Sequence, residues 1–501
     1  MPLRLIIRAQ IFGWLIISLC LVSHKPASAQ NFPRELRAIW LTTAFGLDFP
    51  KQNYDARAQK KWLIALADSI AESGLNTVFF QVKPMGDALY PSDFSPWSAV
   101  LTGTTGQAPE LFFDPLQTFI EAAHERDIEV HAWFNPFRLG KFTWQSDICI
   151  QKFPLGHFFQ YKEQYWLDPG HPESRNFASK SIAEVVQRYD IDGVHLDDYF
   201  YPYRDENEDI PDDIIFQVFG GMYKNKEEWR RQNVTDFIRR VHSEVKKIKP
   251  YLKFGVSPFG IWQNKSEHPE GSETKAKLSA YRHVYADAKL WVERKLLDYI
   301  CPQMYFSTAD KNAPFEKVLQ WWDNLKTERH IYAGLALYRV GENGEDPAWS
   351  DAEEIARQIR LIRVCKNVHG FAFFRLQHWQ ENSPKLQKSL GNDFSRKTLP
   401  PEMPWIDFPL PPRPFVPAAQ IYDEKVLLSW AVPEHQCGKL RFCIEKKTIF
   451  PDGKTQTDYV WTDKTYQVFE KKQERAEVVF RVCSKNRIAA LSEFSEKVSL
   501  K

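Results

Sequence analysis

The stretch Tyr189–Tyr203, YDIDGVHLDDYFYPY, sets two adjacent carboxylates, Asp197 and Asp198, at the end of a short apolar run, Gly193–Leu196. Tyr189, Tyr199, Phe200, Tyr201 and Tyr203 surround the pair. Acids inside an aromatic wall suit a polar, ring-shaped ligand such as a sugar, whose C–H faces stack on rings while its hydroxyls bond to carboxylates. The same two Asp also read as the start of a turn or the cap of a following helix. Hydrolysis of a glycosidic bond needs one carboxylic acid to protonate the leaving oxygen, and a second carboxylate to attack or to activate water. Neighbours on a strand point to opposite faces. Asp197 shares the face of His195 and is assigned to the cleft, with Asp198 as support or a second subsite. Candidates for the partner acid are Asp87, Glu342, Glu345 and Glu354. Glu354 reads more readily as a helix-terminus charge or a capping-box acid.

The elements around this stretch alternate regularly. Predicted strands are Arg37–Thr43, Thr77–Val82, Glu129–Asn135, Gly193–Leu196, Lys253–Ser257, Tyr299–Tyr305, Ile331–Leu337 and Gly370–Arg375. Helical periodicity lies between them, as in Ala56–Glu72, where Leu63, Leu66, Ala67 and Ile70 recur on one face. The strands are continuous apolar runs, as expected when both faces are buried. Eight such units predict a (β/α)8 TIM barrel, an α/β fold, over residues 32–395. A doubly wound open sheet fits less well, because no Gly-rich phosphate loop follows the first strand.

In such a barrel the functional groups stand at the C-terminal ends of the strands. The substrate-binding candidates there are Trp40, Gln81, Lys83, Asp87, Asn135, Arg138, His195, Tyr199, Trp262, Gln303 and Tyr305. His131 reads as an ordinary strand residue. The collection lacks the convergent His, Asp and Glu of a metal site and any GxSxG or Cys/His pairing, so neither a metal nor a cofactor is expected.

The flanking regions are of another kind. Arg4 and Arg8, the apolar run Ile11–Val22 and Ala27-Ser28-Ala29 read as a secretory signal, residues 1–29, too short to span a bilayer. Leu19 before Cys20 argues against a lipoprotein. The expectation is an exported protein, periplasmic or associated with the envelope. A net charge of +2 with no basic stripe gives no case for nucleic acid. Aromatics at 14%, with 17 Trp, lean towards carbohydrate contact. Residues 396–417 form a Pro-rich linker, and residues 418–501 read as short strands of an immunoglobulin-like β-sandwich. There LSW (Leu428–Trp430), FCIEKK and FRVCSKNRIAALSEFSE resemble a fibronectin type III domain. Cys443 and Cys483 could pair within it or remain thiols.

The segments RAIWLTT, GLNTVFFQVKPMGDALYPSDFSPWS, EVHAWFNPFR, DGVHLDDYFYP, FGVSPFGIW and CPQMYF cover most of residues 32–395. They resemble the glycosyl-hydrolase-like 10 family of secreted bacterial proteins. Its members include a divisome enzyme that cleaves peptidoglycan glycan strands stripped of their peptides. The resemblance implies a barrel glycosidase of the cell envelope with a polysaccharide substrate. More distantly, DGVHLD is similar to the strand of amylase-type barrels whose final Asp is the nucleophile, which favours Asp197. However, His195 stands where amylases have Arg, and SPFG where they keep the acid. Tyr199 replaces the Glu that ends the chitinase pattern. A non-catalytic carbohydrate-binding barrel, or a glycosidase for an α-glucan or exopolysaccharide, remain the alternatives.

Overall fold

The computed structural model describes residues 32–110, 113–141, 148–205, 207–342, 344, 346–391, 394, 396–435, 437–470 and 476–500. The signal segment and Glu345 lie outside them. Eight parallel strands close a barrel in the order β1-β8-β7-β6-β5-β4-β3-β2. They are β1 (Leu36–Leu41), β2 (Thr77–Lys83), β3 (Glu129–Phe134), β4 (Gly193–Leu196), β5 (Lys253–Val256), β6 (Tyr299–Ile300), β7 (His330–Leu335) and β8 (Val368–Phe373).

Helices packed outside include α1 (Ala56–Glu72), α2 (Pro115–Glu125), α3 (Pro172–Arg188), α4 (Lys226–Ile248), α5 (Phe315–Asp323), α6 (Glu353–Arg363) and α7 (Leu376–Leu390). Their starts are written locally. Asp55 accepts the Ala58 N–H, and Asp114 accepts that of Gln117 with Pro115 behind it, satisfying donors that a helix leaves free. Two expected elements are shorter. The sixth strand stops at Ile300 because Pro302 has no N–H for the ladder. The helix expected near Tyr281–Lys295 splits into Ala280–His283 and Ala288–Glu293 around Tyr285, whose φ is 55°.

Inside the barrel, alternate residues stack in layers. At the bottom, Lys253 is paired with Glu129 at 2.6 Å. Above it His131 Nδ1 meets the Tyr299 hydroxyl at 2.8 Å, and that hydroxyl meets His195 Nδ1 at 3.0 Å. Trp40 Nε1–H donates to His195 Nε2 at 3.2 Å, so His195 is neutral with its proton on Nδ1, as burial also favours. Tyr299 fits only because Gly255 has no side chain: a Cβ there would lie 2.2 Å from its ring.

The Pro-rich segment is not a free spacer. Met403 and Ile406 join the apolar layer of the barrel interior, and Trp405 Nε1–H donates to Asp298. The C-terminal unit is a sandwich of two antiparallel sheets. One holds β9 (Phe415–Tyr422), β10 (Lys425–Ala431) and β13 (Tyr466–Glu470). The other holds β11 (Arg441–Ile449), β12 (Thr455–Thr462), β14 (Glu477–Lys485) and β15 (Val498–Leu500). Val426, Leu428 and Trp430 of the first pack on Phe442, Ile444, Phe480 and Val482 of the second. Cys443 and Cys483 are cross-strand partners and free thiols.

The sandwich docks near the N-terminal ends of the barrel strands. Asp127 meets Lys485, Lys397 and Arg441, and Arg487 meets Asp190 and Asp192. The charged cavity left there, about 400 Å³, lies at the opposite end of the barrel from Asp197. Among the described residues, no helix is long and apolar enough to cross a membrane.

Candidate active site

β4 delivers the two acids. The Asp197 N–H still bonds to the Phe134 carbonyl, but Phe200 N–H then turns back to the Asp198 carbonyl at 2.8 Å. Strand alternation therefore ends at Leu196, and Asp197 and Asp198 line one cavity of about 280 Å³. Opposite-face alternation, expected from their adjacency, therefore does not hold for this pair: Asp198, read as support or a second subsite, lines the same cavity as Asp197. Asp197 Oδ1 accepts the Asp198 N–H at 2.9 Å and the Gln303 amide at 3.3 Å. Asp198 Oδ2 accepts the Tyr203 hydroxyl at 3.0 Å. Burial pushes both carboxyls up, and the charge of Asp198 pushes Asp197 well above the usual carboxylate range. Two buried acids this close titrate as a pair, with the larger upward shift at Asp197. That makes Asp197, the acid held further above the usual carboxylate range, the candidate proton donor of the pair.

Seven substrate-binding candidates share the cavity: Trp40, Gln81, Asn135, Arg138, Tyr199, Gln303 and Tyr305. Gln81 Oε1 is occupied by the N–H groups of Thr43 and Ala44, so it shapes the β1 loop. Arg138 donates to the Pro84 carbonyl and lies over the Tyr199 ring at 4.6 Å, which in turn stacks on Tyr203. Gln303 also donates to the Ser257 carbonyl at 2.9 Å, which holds its amide against Asp197. Three buried polar atoms on the lining have no partner: Thr42 Oγ1, Trp133 Nε1 and Asn135 Oδ1. A buried donor and two buried oxygens without partners are costly unless a ligand or water completes them.

The other candidates stand elsewhere. His195 is fully buried below the cavity, stacked on Phe79 at 4.1 Å, because its strand parity places it in the barrel interior one layer down. Lys83 is buried against Ser95, and burial lowers it to about 8. Asp87 lines a neighbouring cavity instead. Trp262 donates to Asp287 and stacks on Trp321, outside the cavity lining. Glu354 accepts the Thr308 N–H at 2.7 Å, its hydroxyl at 2.8 Å and the Gln358 amide at 2.8 Å. It is a first-turn helix acid that ties down the loop after β6, and it is not on the cavity. Glu342 pairs with Arg339 at 3.0 Å.

Sequence reasoning missed Thr42, Trp133 and Phe374 as lining residues, along with Ala44 and Leu47. Parity could have found three of them: Thr42 lies two after Trp40, Trp133 two before Asn135, and Phe374 two after the inward Ala372. Phe45, more than half exposed at the rim with φ 55°, offers an open ring face. Among the described residues, no group of three His, Cys, Asp or Glu is placed to hold a metal ion.

Residues 35–351 match the description of glycosyl hydrolase-like 10 proteins. The chain belongs to the glycosyl hydrolase-like 10 family. Glycosyl hydrolase YngK of Bacillus subtilis (strain 168) is 40% identical over 416 residues, 81% of this chain and 79% of its own. Glycosyl hydrolase DigH of Escherichia coli (strain K12) is 36% identical over 395 residues, 74% of this chain and 89% of its own. A solved structure, the PgaB (BpsB) glycoside hydrolase domain from Bordetella bronchiseptica, is 13% identical. It has a TM-score of 0.48 and covers 72% of this chain and 99% of that one. The enzyme class read from the sequence, a glycosidase, is the class of this family and its relatives.

Proposed function

We infer that the protein is an exported hydrolase of cell-envelope glycan, acting on peptidoglycan glycan strands. The observation that carries a glycan reading is the acid pair itself. Asp197 and Asp198, both pushed upward by burial and coupled to each other, stand at the C-terminal end of a barrel strand inside an aromatic-walled cavity. Asp197 donates the proton that the leaving sugar oxygen requires. The unpartnered Thr42 Oγ1, Trp133 Nε1 and Asn135 Oδ1 supply bonds to a hydroxylated ring, while the exposed Phe45 at the rim supplies an apolar ring surface. The choice of peptidoglycan rests on the family resemblance and on the reading of residues 1–29 as an export signal.

The test is product analysis by mass spectrometry after incubation with purified glycan strands, with and without stem peptides. Wild type is run beside Asp197→Asn. Fragments from peptide-free strands, absent with the variant, support the reading. Binding without fragments would replace it with a non-catalytic carbohydrate-binding barrel.

A further inference from the structure

We propose that the nucleophile is the 2-acetamido group of the substrate itself, so that the sugar bound at Asp197 and Asp198 is a 2-acetamido-2-deoxy hexoside. This rests on the glycosidase reading above.

Direct displacement by a protein carboxylate needs an acid on each side of the anomeric carbon. The separation is about 5 Å for a nucleophile, or roughly 6.5–9.5 Å for a base that activates water. Here the two lining carboxylates are consecutive residues at the end of one strand, joined by a 2.9 Å bond from Asp198 N–H to Asp197 Oδ1. They enter the cavity from one wall. The wall across the barrel, from β8 and β1, presents Phe374, Trp40 and Thr42, with no carboxylate among the described residues. The acid behind that wall, Asp48, is fully buried and already engaged. It accepts the Thr42 N–H at 3.0 Å, the Arg375 guanidinium at 2.7 Å and the Gln377 N–H at 3.1 Å.

What the cavity offers instead suits an acetamide. An amide brings a donor, an acceptor and a methyl group. The Asp198 carboxyl stands beside the acid as an acceptor on the same cavity. Trp133 Nε1–H is a buried donor without a partner, and Asn135 Oδ1 and Thr42 Oγ1 are buried oxygens without partners. The rings of Trp40, Trp133 and Phe374 supply an apolar surface for the methyl group.

The step balances within the complex. Asp197 gives its proton to the glycosidic oxygen as the C1–O bond breaks, and the leaving sugar departs as an alcohol. The amide carbonyl oxygen uses a lone pair to bond to C1, closing an oxazolinium ring. The ring N–H, now carrying positive charge, donates to the Asp198 carboxylate. Water then attacks C1 and loses a proton to Asp197, the ring C1–O bond opens, and the acetamide is restored. The product keeps the anomeric configuration of the substrate.

The experiment uses the full chain on three strand preparations: N-acetylated, chemically N-deacetylated, and re-acylated with trifluoroacetyl groups. Products are counted by mass spectrometry, and their anomer is read by NMR. Expected are cleavage of N-acetylated strands with retention, and a fall in rate of roughly 100-fold or more on deacetylation, the loss of an intramolecular nucleophile. For the trifluoroacetyl strands kcat should fall sharply while KM changes little. Equal cleavage of all three preparations, or an inverted product, overturns the proposal and leaves the glycosidase reading standing. Cleavage of none of them removes the glycosidase reading and the proposal with it. Glu345→Gln is expected to keep its activity; a loss of about 100-fold or more would mark that residue as the nucleophile and overturn the proposal.

Discussion

Replacing Asp197 by Asn is expected to make the protein inactive and more stable at once. The Asp197 side chain is 7% exposed, and its pKa is raised well above 3.8 by burial and by the charge of Asp198. The folded chain therefore keeps a proton that the unfolded chain has already released above pH 4. Stability contributed at this position is fully present below the unfolded pKa and is lost as pH rises through the folded one. Each tenfold difference in proton affinity is worth about 1.4 kcal/mol. Asn at 197 never ionises and keeps an oxygen for the Asp198 N–H and the Gln303 amide. The variant should equal wild type near pH 4 and exceed it by about 1 kcal/mol or more at pH 8. Urea unfolding at unit pH intervals from 4 to 8 measures this, with equal slopes showing that the same surface is exposed. Loss of the proton donor should lower kcat by about 10²–10⁴, or roughly 3–5 kcal/mol of transition-state stabilisation. A stability difference that does not change with pH, or a variant that keeps its turnover, would refute the assignment of the proton to Asp197.

Glu354→Gln should leave kcat/KM unchanged while lowering stability by about 1–3 kcal/mol, because one of the bonds holding Thr308 and Gln358 loses its acceptor; a melting curve and one activity assay decide it. Burial would raise Asp127, but Lys485, Lys397 and Arg441 bring it down to about 2. The docking it supports is present above pH 4 and weakens as pH falls towards 2. Asp127→Asn should expose residues 396–417 to protease, and an unchanged cleavage pattern would show that the ion cluster is not what holds the sandwich. Gly255→Ala should cost about 1–3 kcal/mol by driving a Cβ into the Tyr299 ring, read as a lower midpoint in urea. It should also reduce activity, since Tyr299 supports His195 and, through it, Trp40.

Much of the barrel was legible because burial on both faces leaves a continuous apolar strand, and each helix announces itself by period and cap. Ala56–Glu72 and Gly193–Leu196 have the bounds expected from the sequence alone. The losses came where one residue overrides a pattern, as with Pro302 in β6 and the positive φ of Tyr285. The Pro-rich segment was read as a spacer because its composition reports stiffness. That Met403 and Ile406 plug the barrel depends on an apolar opening built by other strands.

The site divides along the same line. Residue types and strand ends by themselves determined that carboxylates, amides and aromatic rings gather at one end of a barrel, since period and parity are local properties of each element. Only the tertiary structure decided which of them meet. Asp198 joins Asp197 because the strand ends one residue before the pair. Glu354 leaves the site because Thr308, remote in sequence, takes its oxygens. His195 lies a layer down by parity, but that Trp40, Tyr299 and Ser257 converge on its ring is decided by other strands. Partnership between distant residues is a matter of where loops and layers come together in space, and no single stretch of chain carries that information.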